Sequence, residues 1–167
     1  MRMIDPIIGE FQHEAALTRK CFENIPADKW DWTPHERSMN MGQLASHIRE
    51  VPSWTHAITD EDKFVLTDDY QPQIASSKEE LLKQWEATVA ETLEKLQTLG
   101  DDRAMDTWTM EAGGQTVIEM PRIAVIRGMI LNHLIHHRGQ LAVYLRLAGG
   151  KVPSIYGPSA DDDGQGG

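Results

Sequence analysis

The sequence contains a single cysteine, Cys21, among 167 residues. That excludes an intramolecular disulfide and a zinc site built on several thiolates. Any bound metal must be held by histidines and carboxylates. Basic residues are also scarce. Sixteen Lys and Arg stand against 26 Asp and Glu, a formal net charge of −10, and no run is rich in Lys or Arg. Such a chain repels phosphate backbones and anionic lipid surfaces, so neither nucleic acid nor membrane is an expected partner. No stretch approaches about 18 uninterrupted apolar residues, the minimum for a membrane-spanning helix. Met1 to Pro6 form no apolar signal-peptide core, and the expected location is cytoplasmic.

What is present fits one domain. The chain is 40% hydrophobic and 25% charged, ordinary values for a folded protein of this length. No repeat is visible. Residues 1–160 read as a single unit, and 161–167, acidic and Gly-rich, as a flexible tail.

Apolar spacing predicts four helices. The first runs from about Pro6 to Asn24, opened by Asp5 and Pro6 and broken at Pro26. The second covers Asn40 to Ile58, with Leu44, His47, Ile48, Val51, Trp54 and Ile58 on one face. Ser38 or Asn40 caps it, and Pro52 must kink or split it. The third starts at Ser77, where Glu80 completes a capping-box pattern, and runs to Gly100. The fourth, from Pro121 to Ala148, carries the stripe Ile126, Ile130, His133, His137, Leu141, Tyr144 and Ala148. Between the last two, residues 101–120 read as partly extended, with Trp108-Thr109-Met110, Ala112-Gly113-Gly114 and Thr116-Val117-Ile118 suggesting a small hairpin. The expected class is all-α, a four-helix bundle with a small β-hairpin before the last helix.

The histidines carry the chemistry. His133 and His137 are four residues apart, so they share one helix face. A lone pair at this spacing is a weak signal, because a core histidine often has its own partner. His47 lies on the apolar stripe of another helix. Three imidazoles turned into one core each need a partner for a polar nitrogen, and a metal ion satisfies all three. His47, His133 and His137 are therefore the expected ligands of one divalent ion, with open coordination positions. His136 lies off the stripe. His13, His35 and His56 read as structural or solvated. Leu134 follows His133, so the glutamate of the HExxH motif is missing. Glu50 is a candidate base or a solvated residue. Gln43 and Gln140 are candidate partners for the second nitrogens of the ligating rings. Trp30 and Trp32 read as pocket residues, and Trp54 and Trp85 as core. Gly128 and Gly139, inside the last helix, fit a close helix approach within the chain or between two chains.

The run Asn132-His133-Leu134-Ile135-His136-His137-Arg138-Gly139-Gln140-Leu141 resembles the DinB (DinB/YfiT-like) family of metal-dependent enzymes. Tyr144-Leu145-Arg146, Pro153 to Asp161, Met41 to Ile48 and Trp30-Asp31-Trp32-Thr33-Pro34 extend the likeness over nearly the whole chain. It implies an up-down-down-up bundle, zinc or nickel held by His47, His133 and His137, a small-molecule substrate and a homodimer. It also implies a low-molecular-weight thiol as cofactor, since the wider superfamily includes thiol-dependent transferases. It places Tyr156 near the site. A metal-dependent thiol S-transferase is the leading expectation and a metal-dependent hydrolase the alternative. A non-enzymatic metal-binding or interaction protein is the third reading. Catalytic residues beyond the ligands are unassigned.

Overall fold

Pro6 starts the first helix within its first turn, where a missing backbone N–H costs nothing. This computed structural model of the chain describes residues 1–162. Helix α1 spans Asp5–Glu23, and Phe11, Ala15, Cys21 and Phe22 are buried along it. The expected second helix is divided as Pro52 requires. Helix α2 covers Met41–Glu50, a 3₁₀ turn covers Val51–Trp54, and α3 covers Thr55–Asp60. Asn40 caps α2 in a reciprocal box with Gln43, each side chain accepting from the other's backbone N–H at 2.8 and 2.9 Å. Gln43 is therefore used at the helix start and is not a partner of His47.

Helix α4 spans Lys78–Thr98. Ser77 accepts from the Glu80 N–H as expected, but the Glu80 carboxylate reaches one residue further back, to Ser76. Trp85 is buried in a T-shaped contact with Phe22, the ring centroids 5.3 Å apart. Gly100 begins a short helix, α5 (Asp101–Met105).

The chain is mostly helical, and its small sheet has one strand more than the expected hairpin. β1 (Lys63–Leu66) pairs parallel with β2 (Thr107–Ala112), which pairs antiparallel with β3 (Gln115–Pro121). The expected hairpin is β2–β3. Its turn is Gly113-Gly114, both at positive φ (57° and 75°), the conformation that a tight hairpin turn demands. Strand β1 was not expected, because all four of its residues are exposed and show no inside-outside alternation. The sheet is fastened to the helices by buried groups. Trp108 Nε1 donates to the Ala57 carbonyl at 3.1 Å, and the fully buried Arg122 donates to the Ile58 and Glu61 carbonyls at 2.9 Å and pairs with Asp62.

The expected last helix begins as α6 (Arg122–Val125), widens into a π-helical segment over Ile126–Asn132, and continues as α7 (His133–Leu147). Helices α1 and α2 each pack against α4 and α7. Ile4, Phe22, Leu44, Ile48, Trp85, Ile126, Ile130 and Leu141 meet in one apolar core. A Cβ added at Gly128 or Gly139 would meet nothing within 4 Å. Neither glycine serves a close approach within the chain. No helix among the described residues is long and apolar enough to cross a membrane.

The C-terminal segment is tied down through Asp162. The Asp161 carboxylate accepts from the Val152 N–H at 2.8 Å and pairs with Arg146, while Asp162 accepts from the Ser159 N–H. Asp161 and Asp162, placed in the expected 161–167 tail, are held by these contacts. Residues 163–167 lie outside the described part.

Candidate metal centre

Two helices bring three imidazoles to one point. Leu44 and Ile48 of α2, with Val51 just after it, are buried on one face, and His47 sits on that face toward α7. His133 is the first residue of α7, directly after the π-helical segment, and His137 follows one turn later. Single-turn departures of this kind are frequent at functional sites. The three rings offer nitrogens that all lie within 4.8 Å of one another, and each residue is half-buried. His47 Nε2 is 3.2 Å from His133 Nε2. Ring centroids are 4.6 Å apart for His47–His137 and 4.7 Å for His133–His137.

The donor set fits a divalent ion. Two nitrogens bound tetrahedrally at about 2.0–2.1 Å stand about 3.3 Å apart, close to the His47–His133 separation. Ligating imidazoles must be neutral, and the site keeps them so. Burial, then the charges of His137 and His133, push His47 down to about 4. Burial is also the main cause that lowers His133 and His137. The second nitrogen of His137 has a partner. His137 Nδ1 is 2.7 Å from Gln140 Oε1, which fixes that ring with its Nε2 free. Gln140 Nε2 is in turn 3.2 Å from His136 Nε2, so the exposed His136 joins through Gln140. At His133 the Met129 carbonyl, in the π-helical segment, opposes part of the lowering by burial. Among the described residues no fourth histidine, cysteine or carboxylate joins the trio.

A cavity of about 340 Å³ opens from His47 between α3 and the sheet. Trp54, Ile58, Trp108, Met110 and Met129 line it, with Phe64, Leu66, Tyr70 and Pro72 on the outer side. The pocket tryptophans are therefore Trp54 and Trp108. Trp54 packs on His47 and His133 at centroid distances of 6.0 and 5.5 Å, whereas periodicity alone placed it in the core. Trp30 and Trp32 serve the start of α2 instead. Their carbonyls accept from the Gly42 and Met41 N–H groups, and the Trp30 indole covers Gly42 so closely that an added Cβ would lie 2.5 Å from it. His56, expected to be merely structural or solvated, also lines the cavity.

Glu50, one turn after His47, is buried rather than solvated. The Tyr70 phenol is pushed up to about 12 by burial and by its bond to the Glu50 carboxylate. Ser46, beside His47 in sequence, is buried, and its Oγ accepts from the Ala75 N–H at 3.0 Å. Cys21 is buried in the core, and burial pushes its thiol up to about 11, so it is not an available nucleophile. Tyr156 does not reach the histidines. Its hydroxyl donates to Glu14 and accepts from Arg138, both at 2.7 Å, around a buried Arg138–Glu14 ion pair. Sequence reasoning missed that pair, since its members lie on different helices.

The chain is thus a mostly helical protein with a three-stranded side sheet, whose three histidines converge from two helices in an arrangement that could hold a metal ion. The profile of the DinB family matches residues 3–165, and the chain belongs to that family. It is similar to the uncharacterized protein YrdA of Bacillus subtilis (strain 168), at 23% identity over 95% of this chain and 91% of that protein. In structure it is similar to a DinB-like protein from Bacillus subtilis, with a TM-score of 0.71 and 20% identity over 92% of this chain and 100% of the other. A DinB-like protein from Bacillus cereus ATCC 10987 gives a TM-score of 0.67 at 21% identity, over 87% and 92% of the two chains.

Proposed function

We propose that the chain is a metal-dependent enzyme that holds one divalent ion, zinc or nickel, on His47, His133 and His137, and transfers a low-molecular-weight thiol to a small-molecule substrate. The observation that carries this reading is the convergence of three neutral, oriented imidazoles without a fourth protein ligand among the described residues. Structural zinc is normally closed by four protein ligands, so a three-ligand set favours a working site. A divalent ion there supplies Lewis acidity, favouring the deprotonated form of a thiol or water beside it. The chain's own thiol is buried away from the site, so the nucleophile must come from solution. Gln140 keeps the His137 imidazole oriented, and Trp54 shields His47 and His133 from water. The helices would form an up-down-down-up bundle, and two copies would pair through the exposed stripe of Gly139, Val143 and Leu147 on α7. Sedimentation of wild type and Val143→Glu tests that pairing.

Hydrolysis is the second reading, supported by Glu50, a buried carboxylate one turn from His47. One experiment separates the readings. Zinc-loaded protein is mixed with cysteine and an uncharged alkyl bromide, then separately with 4-nitrophenyl acetate. In thiol transfer the sulfur bonds to carbon, bromide leaves with the bonding electrons, and the thiol proton goes to buffer. Thioether formation that is lost in His137→Ala supports the transferase. Thiol-independent 4-nitrophenol release that is lost in the same variant supports the hydrolase. Neither activity, with unfolding on zinc removal, points to a structural ion.

A further inference from the structure

The cavity beside the histidines has a chemical character that narrows what can enter. We infer that its ligand is an uncharged molecule with an apolar body, a chain or ring that lies between α3 and the sheet with its reactive end at the histidines. The inference rests on the proposed enzymatic site and adds the class of substrate.

Three observations carry it. First, among the described residues the lining includes no Lys, Arg, Asp or Glu; its polar groups are His47, His56, the Tyr70 phenol and the Trp54 indole N–H. Away from the histidine end, a carboxylate, phosphate or ammonium buried along that wall would lose its hydration with no opposite charge in return. The net charge of −10 adds repulsion for anions. Second, the apolar wall runs up to the imidazoles, because the Trp54 ring packs against both His47 and His133. A ligand body on that wall therefore has its end at the cluster. Third, Phe64 and Leu66 are each 37% exposed and Tyr70 43% exposed, side by side at the mouth of the cavity. Clustered apolar groups left in solvent mark a binding surface more often than a packing defect. Strand β1 does not close the core, as all its residues are exposed. Its place beside β2 makes it the outer wall of this cavity. The volume, about 340 Å³, is at the small end for ligand pockets, which suits one modest chain or ring.

The test uses matched pairs. Metal-free and zinc-loaded protein are titrated with butanamide, hexanamide and octanamide, and with the corresponding carboxylates. Binding is read from the tryptophan side-chain N–H signals in ¹H–¹⁵N spectra, with Trp54 assigned by Trp54→Phe. The expected result on metal-free protein is an amide affinity that rises about fourfold per added methylene until the cavity is full. Each carboxylate should bind at least about tenfold more weakly than its amide, as expected for a buried charge without a partner. Phe64→Glu, at the exposed mouth, should weaken the amides about tenfold or more by bringing a charge to the wall, while zinc stoichiometry stays unchanged. On metal-free protein, carboxylates that bind as well as amides, an affinity flat with chain length, or no shift with any amide up to its solubility would overturn the inference. If zinc fails to bind while the amide series holds, the metal reading fails and the pocket stands. If zinc binds and the series is flat, only the pocket inference fails.

Discussion

Glu14 and Arg138 form a charge pair inside the protein, 1% and 5% exposed at the Arg138 and Glu14 side chains respectively. Arg138 Nη1 lies 2.6 Å from Glu14 Oε2 and donates to the Glu14 carbonyl at 3.1 Å, while the Tyr156 hydroxyl bridges both side chains. Glu14→Gln keeps the shape and removes the charge, leaving a buried guanidinium without a counter-ion. Breaking such a pair costs about 3–5 kcal/mol. The amide oxygen can still accept one hydrogen bond, so the lower figure, about 3 kcal/mol, is expected. At about 2–4 °C per kcal/mol for a chain of this size, Tm falls by about 6–12 °C. Tyr156→Phe removes one hydroxyl that bonds two charged groups and should cost about 1.5–3 kcal/mol. The double change Glu14→Leu with Arg138→Met removes both charges together and should recover most of the loss. Urea unfolding followed by tryptophan fluorescence gives these values from midpoint shifts at constant slope. A Glu14→Gln cost under about 1 kcal/mol, or a double variant as unstable as the two single changes added, refutes the reasoning.

Two further outcomes follow from the histidine cluster. Because the His47 imidazole is lowered to about 4 from 6.5 and His133 and His137 are lowered too, the unfolded metal-free chain binds protons more readily than the folded one. Their contribution is full above about pH 6.5 and is lost as pH falls toward 4; urea midpoints at pH 7 and 5 should differ, and His47→Phe should shrink the difference. Gln140→Ala frees the His137 ring and should weaken zinc by about 10–100-fold in chelator competition, whereas unchanged affinity would show that the amide does not orient the ligand.

The histidine positions were legible because their helices bury one face each. His133 and His137 stand one turn apart on a regular stripe, and His47 lies between Leu44 and Val51 on another. Both signals come from short-range periodicity, which survives the kink at Pro52. The π-helical segment was not legible, since the four-three spacing of Ile126, Ile130 and His133 reads equally as ordinary α-helix. Strand β1 gave no alternation because both its faces are exposed. Trp54 was misplaced for a related reason, while Trp85 lies in the core as expected. Periodicity puts Trp54 on an apolar face, but cannot tell a face filled by protein from one that borders a cavity. The Glu14–Arg138 pair is 124 residues apart in sequence, and no local pattern announces a contact made only in three dimensions.

The central claim is that three histidines hold one divalent ion. It is tested most directly by metal content, measured by mass spectrometry on untagged protein, for wild type and His137→Ala, with a melting curve for each. The account predicts about one zinc or nickel per chain, lost in the variant while its helices remain folded. Wild-type protein that carries no metal, even after incubation with zinc or nickel, would contradict it.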